Sequence, residues 1–276
     1  MRLMNMLPIA LLATAVACSS DLGTVGDDDD DDDVVQGPDA ASVDDPDATA
    51  VVDDGRVDLG LQAEWRFKTG AGTRIEDTSG VEPRVDFIIQ DPLAVAWLPG
   101  GGIDITQETL ILGTGPATKI HGACTANSQV TMEAWFQTAA VNQEGPARIV
   151  TYSIDTANRN FSLGQNNAEY NFRLRTTDTD VNGTPATATE LGSFTSALTH
   201  VVVTRDLAQT IVYVDGEVAG AQALGGSFAQ WDPLYQLALG NEITGDRPWR
   251  GQIYLVAVYC RSLSSLEVKQ NFEAGW

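Results

Sequence analysis

The chain has 276 residues and a formal net charge of −22, with 16 Lys and Arg against 38 Asp and Glu. No basic patch is available to grip a phosphate backbone, which excludes nucleic acid as a partner. Two histidines, His121 and His200, are too few for a His-based metal triad.

Behind Met1-Arg2, Leu7 to Ala17 is an apolar run of signal-peptide length, shorter than the roughly 20 residues a spanning helix needs. Residues 1–17 therefore read as a secretory signal. Ala15-Val16-Ala17-Cys18 resembles a bacterial lipobox, with Ala15 where that motif usually has Leu. The resemblance implies that Cys18 becomes the lipidated first residue, a membrane-anchored lipoprotein of the cell envelope facing the periplasm or the surface. Plain cleavage after Ala17, with release of a free protein, is the alternative. Residues 18–60 follow with fifteen Asp, seven of them consecutive at Asp27–Asp33, opposed only by Arg56 and without one aromatic residue. Such a segment cannot bury enough apolar surface to offset its chain entropy, and like charges extend it. It reads as a disordered tether. A loose calcium buffer is the alternative, although scattered carboxylates do not build a cage of six to eight ligands. The tether accounts for most of the charge, leaving −9 for residues 61–276.

Residues 61–276 suit one all-β domain. Strands are predicted at Leu61–Lys68, Arg84–Ile89, Val95–Leu98, Gly102–Ile105, Gln129–Thr138, Ala147–Ser153, Asn160–Leu163, Tyr170–Thr176, Leu198–Arg205, Thr210–Val214, Leu234–Leu239 and Gly251–Arg261, with Gly, Pro, Asn and Asp clusters between them. Period-two alternation assigns faces. Val130, Met132, Ala134 and Phe136 share one side of their strand, and Thr131, Glu133 and Trp135 the other. Tyr170, Phe172 and Leu174 oppose Asn171, Arg173 and Arg175. Gly251–Arg261 is apolar on both faces and reads as a central strand covered twice. Asp215-Gly216 between β-branched runs predicts a tight hairpin. Ser264 to Glu267 has capping-box spacing for a short C-terminal helix, with Leu266, Val268 and Phe272 as its apolar side and Gly275 at its end. The fold class is thus all-β, a two-sheet antiparallel jelly-roll sandwich.

Four stretches carry a family likeness. They are Leu61-Gln-Ala-Glu-Trp65-Arg-Phe67 with Asp77-Thr-Ser-Gly80, Val130-Thr-Met-Glu-Ala-Trp135-Phe, Thr199-His-Val with Tyr213-Val-Asp215-Gly216, and Gly251-Gln-Ile through Tyr259-Cys-Arg-Ser-Leu263 to Glu267. In this order they resemble the LamG-like jelly-roll domains of the concanavalin A-like lectin/glucanase superfamily. The resemblance implies a curved sheet face that binds glycans or proteins, and in some members calcium. The acidic residue that the family places after Gly-x-Ile is Tyr254 here, which leaves Asp77 as the calcium-ligand candidate, its alternative being to cap its own turn. The glucanase motif of paired acids on one strand is missing, since Glu133 stands alone on its strand, and retaining enzymes need two facing carboxyls.

A binding face is therefore expected rather than a catalytic one. Candidate ligand contacts are Trp231, Asn241, Arg247 and Trp249 in predicted loops, with Arg173 and Arg175 as forks for a carboxylate or sulfate. The alternative for each Trp is core packing, and for the Arg pair a neighbouring acid. The expected partner is a glycan or an envelope protein, the membrane being reached only through the lipid. A structural envelope role without a small ligand and, behind it, a glycoside hydrolase are the other readings. Of three cysteines, Cys124 and Cys260 remain if Cys18 is lipidated. They can form a disulfide in an oxidising compartment if their strands are antiparallel neighbours, and are otherwise two separate thiols.

Overall fold

The computed structural model describes residues 55–276; the signal run of residues 1–17, Cys18 and the Asp-rich stretch as far as residue 54 lie outside the described residues. From residue 55 onward, the alternation of apolar and polar side chains sorts the strands into two antiparallel sheets of eight strands each. In chain order they are β1 (Leu61–Trp65), β2 (Arg74–Ile75), β3 (Phe87–Ile89), β4 (Val95–Trp97), β5 (Ile103–Ile105), β6 (Ile111–Pro116), β7 (Val130–Thr138), β8 (Ala147–Ser153), β9 (Arg159–Asn166), β10 (Glu169–Leu174), β11 (Thr187–Ala188), β12 (Thr199–Arg205), β13 (Gln209–Val214), β14 (Glu217–Ala223), β15 (Gln236–Leu239) and β16 (Gly251–Tyr259). Helix α1 (Thr118–Asn127) lies between β6 and β7, and α2 (Ser265–Ala274) closes the chain.

The first sheet runs β14-β13-β12-β7-β16-β5-β4, with β1 also paired to β16. The second runs β11-β10-β9-β8-β15-β6-β3-β2. Trp65, Phe87, Phe136, Tyr152, Phe161 and Phe172 fill the space between the sheets. The predicted faces of β7 hold. Val130, Met132, Ala134 and Phe136 point into that core, whereas Trp135 joins a second cluster on the far side of the first sheet with Val202, Tyr213, Leu255 and Val268. Strand β16 is covered on both faces, as its sequence predicts. At the β13–β14 hairpin, Asp215 and Gly216 take φ of 51° and 83°, the left-handed pair that the tight turn requires.

Helix α2 lies over the far face of the first sheet. Ser264 accepts from the Glu267 amide while Glu267 Oε2 accepts from the Ser264 amide at 2.8 Å, the predicted capping box. Its buried side differs from the prediction at Leu266, which is 79% exposed. Leu266 is two positions from Val268, about 200° around the helix; Val268 and Asn271, three apart, share the covered face instead. The domain also starts earlier than residue 61. Arg56 and Val57 are buried, and the Val57 amide donates to Asn271 Oδ1 at 2.8 Å, so the end of the predicted tether is a strap under α2.

Besides the short β2 and β11 and the edge strand β14, two longer interior elements escape the sequence patterns. Strand β6, Ile-Leu-Gly-Thr-Gly-Pro, carries two glycines and a proline that read as loop. Helix α1 has Ala117 at its N-cap without a side-chain bond, an internal Gly122 and no clear apolar stripe. Tertiary ties hold it instead. Ile120 and Cys124 are buried, and Cys124 is disulfide-bonded to Cys260 with Cα atoms 4.5 Å apart. The antiparallel neighbours β7 and β16 bring the two cysteines together.

Candidate functional site

Each sheet has one face turned away from the core, and the two are treated oppositely. The far face of the first sheet is apolar around Trp135, Val202 and Leu255, so α2 and the strap cover it. Glu133 is sealed there. Its Oε1 accepts from Arg56 Nη2 at 2.5 Å and from His200 Nε2 at 2.8 Å, and its Oε2 from Asn271 Nδ2 at 2.8 Å. Burial alone would raise this carboxyl; the His200 hydrogen bond and the Arg56 charge outweigh it and hold the pKa at about 2. Indole and imidazole stack, with Trp135 and His200 ring centroids 4.8 Å apart. The group fixes α2 to the sheet and faces no groove.

The far face of the second sheet is polar. Register places Arg148 beside Gly164 and Asn171, and Thr151 beside Ser162 and Arg173, across β8, β9 and β10. Ser153 pairs with Arg159, and Ala238 of β15 with Thr151. Small side chains thus floor the middle of this face, and arginines lie over them. The loop after β15 supplies the balancing acid. Asn241 Oδ1 accepts from the Glu242 and Arg247 amides, each at 2.9 Å, and so folds the loop back onto the sheet. Glu242 Oε2 then accepts from Arg148 Nε at 2.9 Å and lies 3.5 Å from Arg159 Nη1; its Oε1 accepts from Ser153 Oγ and the Ile243 amide. Arg159 is further held by Thr156 O and by Asn182 Oδ1 at 2.8 Å.

Positive charge is in excess here. Arg173 is half-buried, and its one hydrogen bond among the described residues runs from Nε to Asn171 Oδ1 at 3.4 Å. Arg247, whose amide region pairs with Arg148 through Arg148 N to Arg247 O at 3.0 Å, has a 42% exposed side chain with Asp246 at 3.9 Å. Burial lowers Arg148 first; Glu242 opposes this, and Arg173 and Arg247 push it down further. Arg159 falls to about 10, by burial first and then by the Arg148 charge, with Glu242 opposing. Arg173 is lowered by burial first, with Asp180 opposing and Arg247 adding to the fall. A cavity of about 480 Å³ adjoins Arg247, walled by Glu108, Gln143, Glu144, Pro248 and Arg250.

Of the residues predicted from sequence, the structure places Arg173 on the far face of β10 and Arg247 in the loop that Asn241 folds back onto Arg148. It separates the rest. Arg175 follows the end of β10 and lies against Tyr235. Trp231 is a core residue, its ring stacked on Phe228 at 4.3 Å and its Nε1 donating to Arg175 O at 2.7 Å. Trp249 is fully buried edge-on to Phe136 and donates to Gln165 Oε1 at 3.1 Å. Neither indole offers a platform to a ligand, because the loops carrying them dive into the ends of the sandwich, where the largest side chains close the core. Asp77 is equally enclosed. Its oxygens accept from Lys119 Nζ at 2.5 Å, Ser79 Oγ at 2.7 Å and the Val85 amide at 3.0 Å. Burial works against ionisation, and these bonds, Lys119 first, overcome it and hold the carboxyl below its usual range. The Lys119 ammonium also donates to Val81 O at 2.6 Å, so Asp77 serves here as the partner of a buried side-chain charge. No group of three or more His, Cys, Asp or Glu among the described residues is arranged to hold a metal ion.

Sequence reasoning missed Arg148 and Arg159 as parts of this face. One signal was available: Arg148 is a charge inside Ala-Arg-Ile-Val-Thr-Tyr-Ser, an otherwise apolar strand, and a buried charge demands a partner. That partner, Glu242, is 94 residues away, so the pairing itself has no local signal.

The architecture is shared with solved proteins of low sequence identity. Botulinum neurotoxin type C, described as dependent upon interaction with two ganglioside molecules, superposes with a TM-score of 0.61 at 12% identity over 79% of this chain and 52% of that one. The binding domain of botulinum neurotoxin DC in complex with rat synaptotagmin II gives 0.60 at 11% identity, with 79% and 52% covered. Trypanosoma rangeli sialidase gives 0.54 at 18% identity, with 78% and 32% covered. The chain spans about half the length of the toxin chains, and at these identities the likeness is one of fold. No curated protein matches the chain. The Laminin_G_3 family model matches residues 112–269, from β6 through α2. The chain therefore belongs to this family of the concanavalin A-like lectin/glucanases superfamily.

Proposed function

We propose that the chain is a non-catalytic binding module for a glycan or a protein, displayed on the cell envelope through a lipidated Cys18 and an acidic tether. The observation that carries this reading is the polar far face of the second sheet, where Arg173 and Arg247 stand at the rim of a small-residue floor held by Arg148, Glu242 and Arg159. Ligand faces of this kind combine a rigid scaffold with a few placed polar groups. Glycoside hydrolysis is disfavoured by the chemistry at two of the buried acids, Glu133 and Glu242. Glu133 is enclosed by Arg56, His200 and Asn271, and Glu242 has its oxygens occupied by Arg148, Ser153 and Ile243. Glu64 lies on the same face as Glu133, across Ala257, but Arg56 stands between the two carboxylates at 3.9 and 2.5 Å and fills the gap a sugar would need. Ganglioside and synaptotagmin contacts in the structural neighbours agree with a glycan or protein partner.

The test is a glycan array probed with the full chain, run beside crosslinking and identification of envelope proteins in the native cell. Capture of a glycan or a protein that is reduced by Arg173→Ala supports the reading. Neither glycan nor protein bound, or release of reducing sugar from an oligosaccharide substrate, refutes it. The anchoring is tested separately: Cys18→Ser is expected to move the protein from the membrane fraction to the soluble fraction.

A further inference from the structure

We propose that the first sheet carries, near its β4 edge, a binding site for one neutral sugar ring, built by Asp104, Gln252 and Gln137 and walled by Tyr254 and Trp276. The proposal rests on the binding-module reading above and adds to it a surface separate from Arg173.

The far face of the first sheet is apolar around Trp135 and Leu255 and turns polar toward β5. Alternation sets the change. Ile103, Ile105, Phe136 and Ile253 point into the core, so their neighbours Asp104, Gln137 and Gln252 point outward. Register then aligns the three. Gln252 of β16 is the direct partner of Asp104 on β5 and of Gln137 on β7. With strands about 4.8 Å apart, they form a row roughly 10 Å long. All three are half-buried, and Ala96, which continues the row on β4, is exposed. A cavity of about 220 Å³ opens among them, lined also by Thr138, Ala139 and Gly251. That is smaller than the roughly 300–1,000 Å³ of drug-sized sites and suits a single ring.

The row is held in place and still has hydrogen-bonding capacity. Gln252 Oε1 accepts from the Tyr254 hydroxyl at 2.6 Å, and Gln252 Nε2 donates to Asp104 Oδ2 at 3.3 Å. Gln137 Nε2 donates to Ser196 O at 2.9 Å. Asp104 Oδ1 and Gln137 Oε1 remain as acceptors, and the second Gln252 Nε2 hydrogen as a donor, without a hydrogen bond among the described residues. Adjacent hydroxyls of a sugar each donate one bond and accept others, which matches two acceptors on either side of a donor.

Tyr254 and Trp276 stand beside the row, their ring centroids 4.6 Å apart. The turn between β4 and β5 makes room for them. Gly101 and Gly102 take φ of 112° and 101°, and a Cβ there would come within 3.3 Å of the Trp276 ring and 2.8 Å of the Tyr254 ring. The two half-buried rings thus give the polar row an apolar wall, the combination that fixes a small ligand in one orientation. Charge selects against acidic sugars. Asp104 is the charged residue among those lining the cavity, and the chain carries −22, so a carboxylated or sulfated ring is repelled.

Ligand-observed NMR on the full chain tests the site, with methyl glucoside, methyl galactoside and methyl mannoside as neutral probes and glucuronate as the acidic one. At least one methyl hexoside is expected to bind with a dissociation constant of about 1–10 mM, the strength of one ring held by a few exposed bonds. Glucuronate is expected to bind at least about 5-fold more weakly. Asp104→Asn is expected to weaken the hexoside about 10-fold and to abolish the discrimination against glucuronate, a result that loss of packing alone does not give. Gln137→Ala and Trp276→Ala are each expected to weaken it about 3-fold or more, and Gln137→Ala, which changes no charge, keeps the test readable if Asp104→Asn perturbs the sheet. If a hexoside binds and none of the three variants changes its affinity, or if glucuronate binds as tightly as the hexosides to the native chain, this site is refuted while the binding module stands. Binding of tetramethylammonium without any hexoside would assign Asp104 and the two rings to a cation and refute the sugar site as well. If no hexoside binds at ten times the expected concentration, about 100 mM, the site is refuted, and the binding module falls with it only when the glycan array and the crosslinking are also empty.

Discussion

Arg56→Ala removes the strongest cation from a fully buried carboxylate. In the native chain Glu133 Oε1 receives Arg56 at 2.5 Å and His200 at 2.8 Å, while Oε2 receives Asn271 at 2.8 Å and the Tyr259 hydroxyl at 3.4 Å. Without Arg56 the charge keeps three weaker partners and no access to water. Removing one partner of a buried pair costs about 3–5 kcal/mol, and at about 2–4 °C per kcal/mol for a domain of this size the melting temperature falls by roughly 6–20 °C. Arg56 also ties the strap to the end of α2 through Asn271 O at 3.2 Å and Gly275 O at 2.6 Å, so the loss belongs in the upper part of that range. A pH arm checks the electrostatic share. Folding lowers the Glu133 pKa from the usual 4.5 to about 2, worth about 3 kcal/mol. Because the folded value is the depressed one, this stability is fully present above pH 4.5 and is lost as the pH falls through 2. Urea unfolding followed by tryptophan fluorescence, repeated between these limits, should show a steeper slope in the native chain than in Glu133→Gln, where Asp77, Asp155 and Glu267, also held low by folding, still contribute. A change under about 1 kcal/mol in Arg56→Ala, with parallel pH curves for the native chain and Glu133→Gln, would refute the reasoning.

Other substitutions probe the remaining ties. Cys124→Ser with Cys260→Ser opens a link across 136 residues and is expected to cost about 2–5 kcal/mol, read by urea unfolding without reductant. Lys119→Met leaves Asp77 buried without its cation and is expected to cost about 3–5 kcal/mol, whereas addition of calcium should not restore the loss if the pocket is built for the ammonium. On α2, Leu266→Lys is expected to stay within about 0.5 kcal/mol and Val268→Ala to cost roughly 1–3 kcal/mol; the reverse order would mean that the helix presents its other side to the sheet.

The strands and their faces were legible where side chains alternate over five or more residues, as in β7 and β10, because a period of two leaves one register that buries the apolar set. The turn at Asp215-Gly216 and the cap at Ser264 were legible because each is decided by two or three adjacent residues. What the sequence could not show depends on distant partners. Helix α1 is held by Cys260 and Asp77 rather than by its own pattern. Leu266 looked like part of an apolar side because three hydrophobic residues near a cap suggest one, but the helical angle excludes it. The tryptophans at 231 and 249 sit between Gly, Pro and Asp residues and resembled surface platforms, yet loops at the ends of a sandwich also supply the plugs of its core. Arg173 was read with Arg175 as a pair of forks on one strand face, whereas Arg247 reaches Arg148 only because Asn241 folds the loop after β15 back over β8.

The two far faces are closed in different ways. Strands β7, β12 and β16 place Trp135, Val202, Leu255 and Tyr259 on the far side of the first sheet, and that surface must be covered to keep the domain soluble. Helix α2 and the strap at Arg56 and Val57 supply the cover, and the buried Glu133 fixes them in one position. Strands β8, β9 and β10 place Thr151, Ser162, Gly164 and Asn171 on the far side of the second sheet, which requires no helix. Loops reach over it only where Arg148 and Arg159 need acceptors, and they leave Arg173 and Arg247 at the edge with donors to spare. The same binary pattern that builds the core therefore decides how each outer surface is closed: an apolar far face recruits the chain's own helix, and a polar one is buried by its arginines and by the loop after β15.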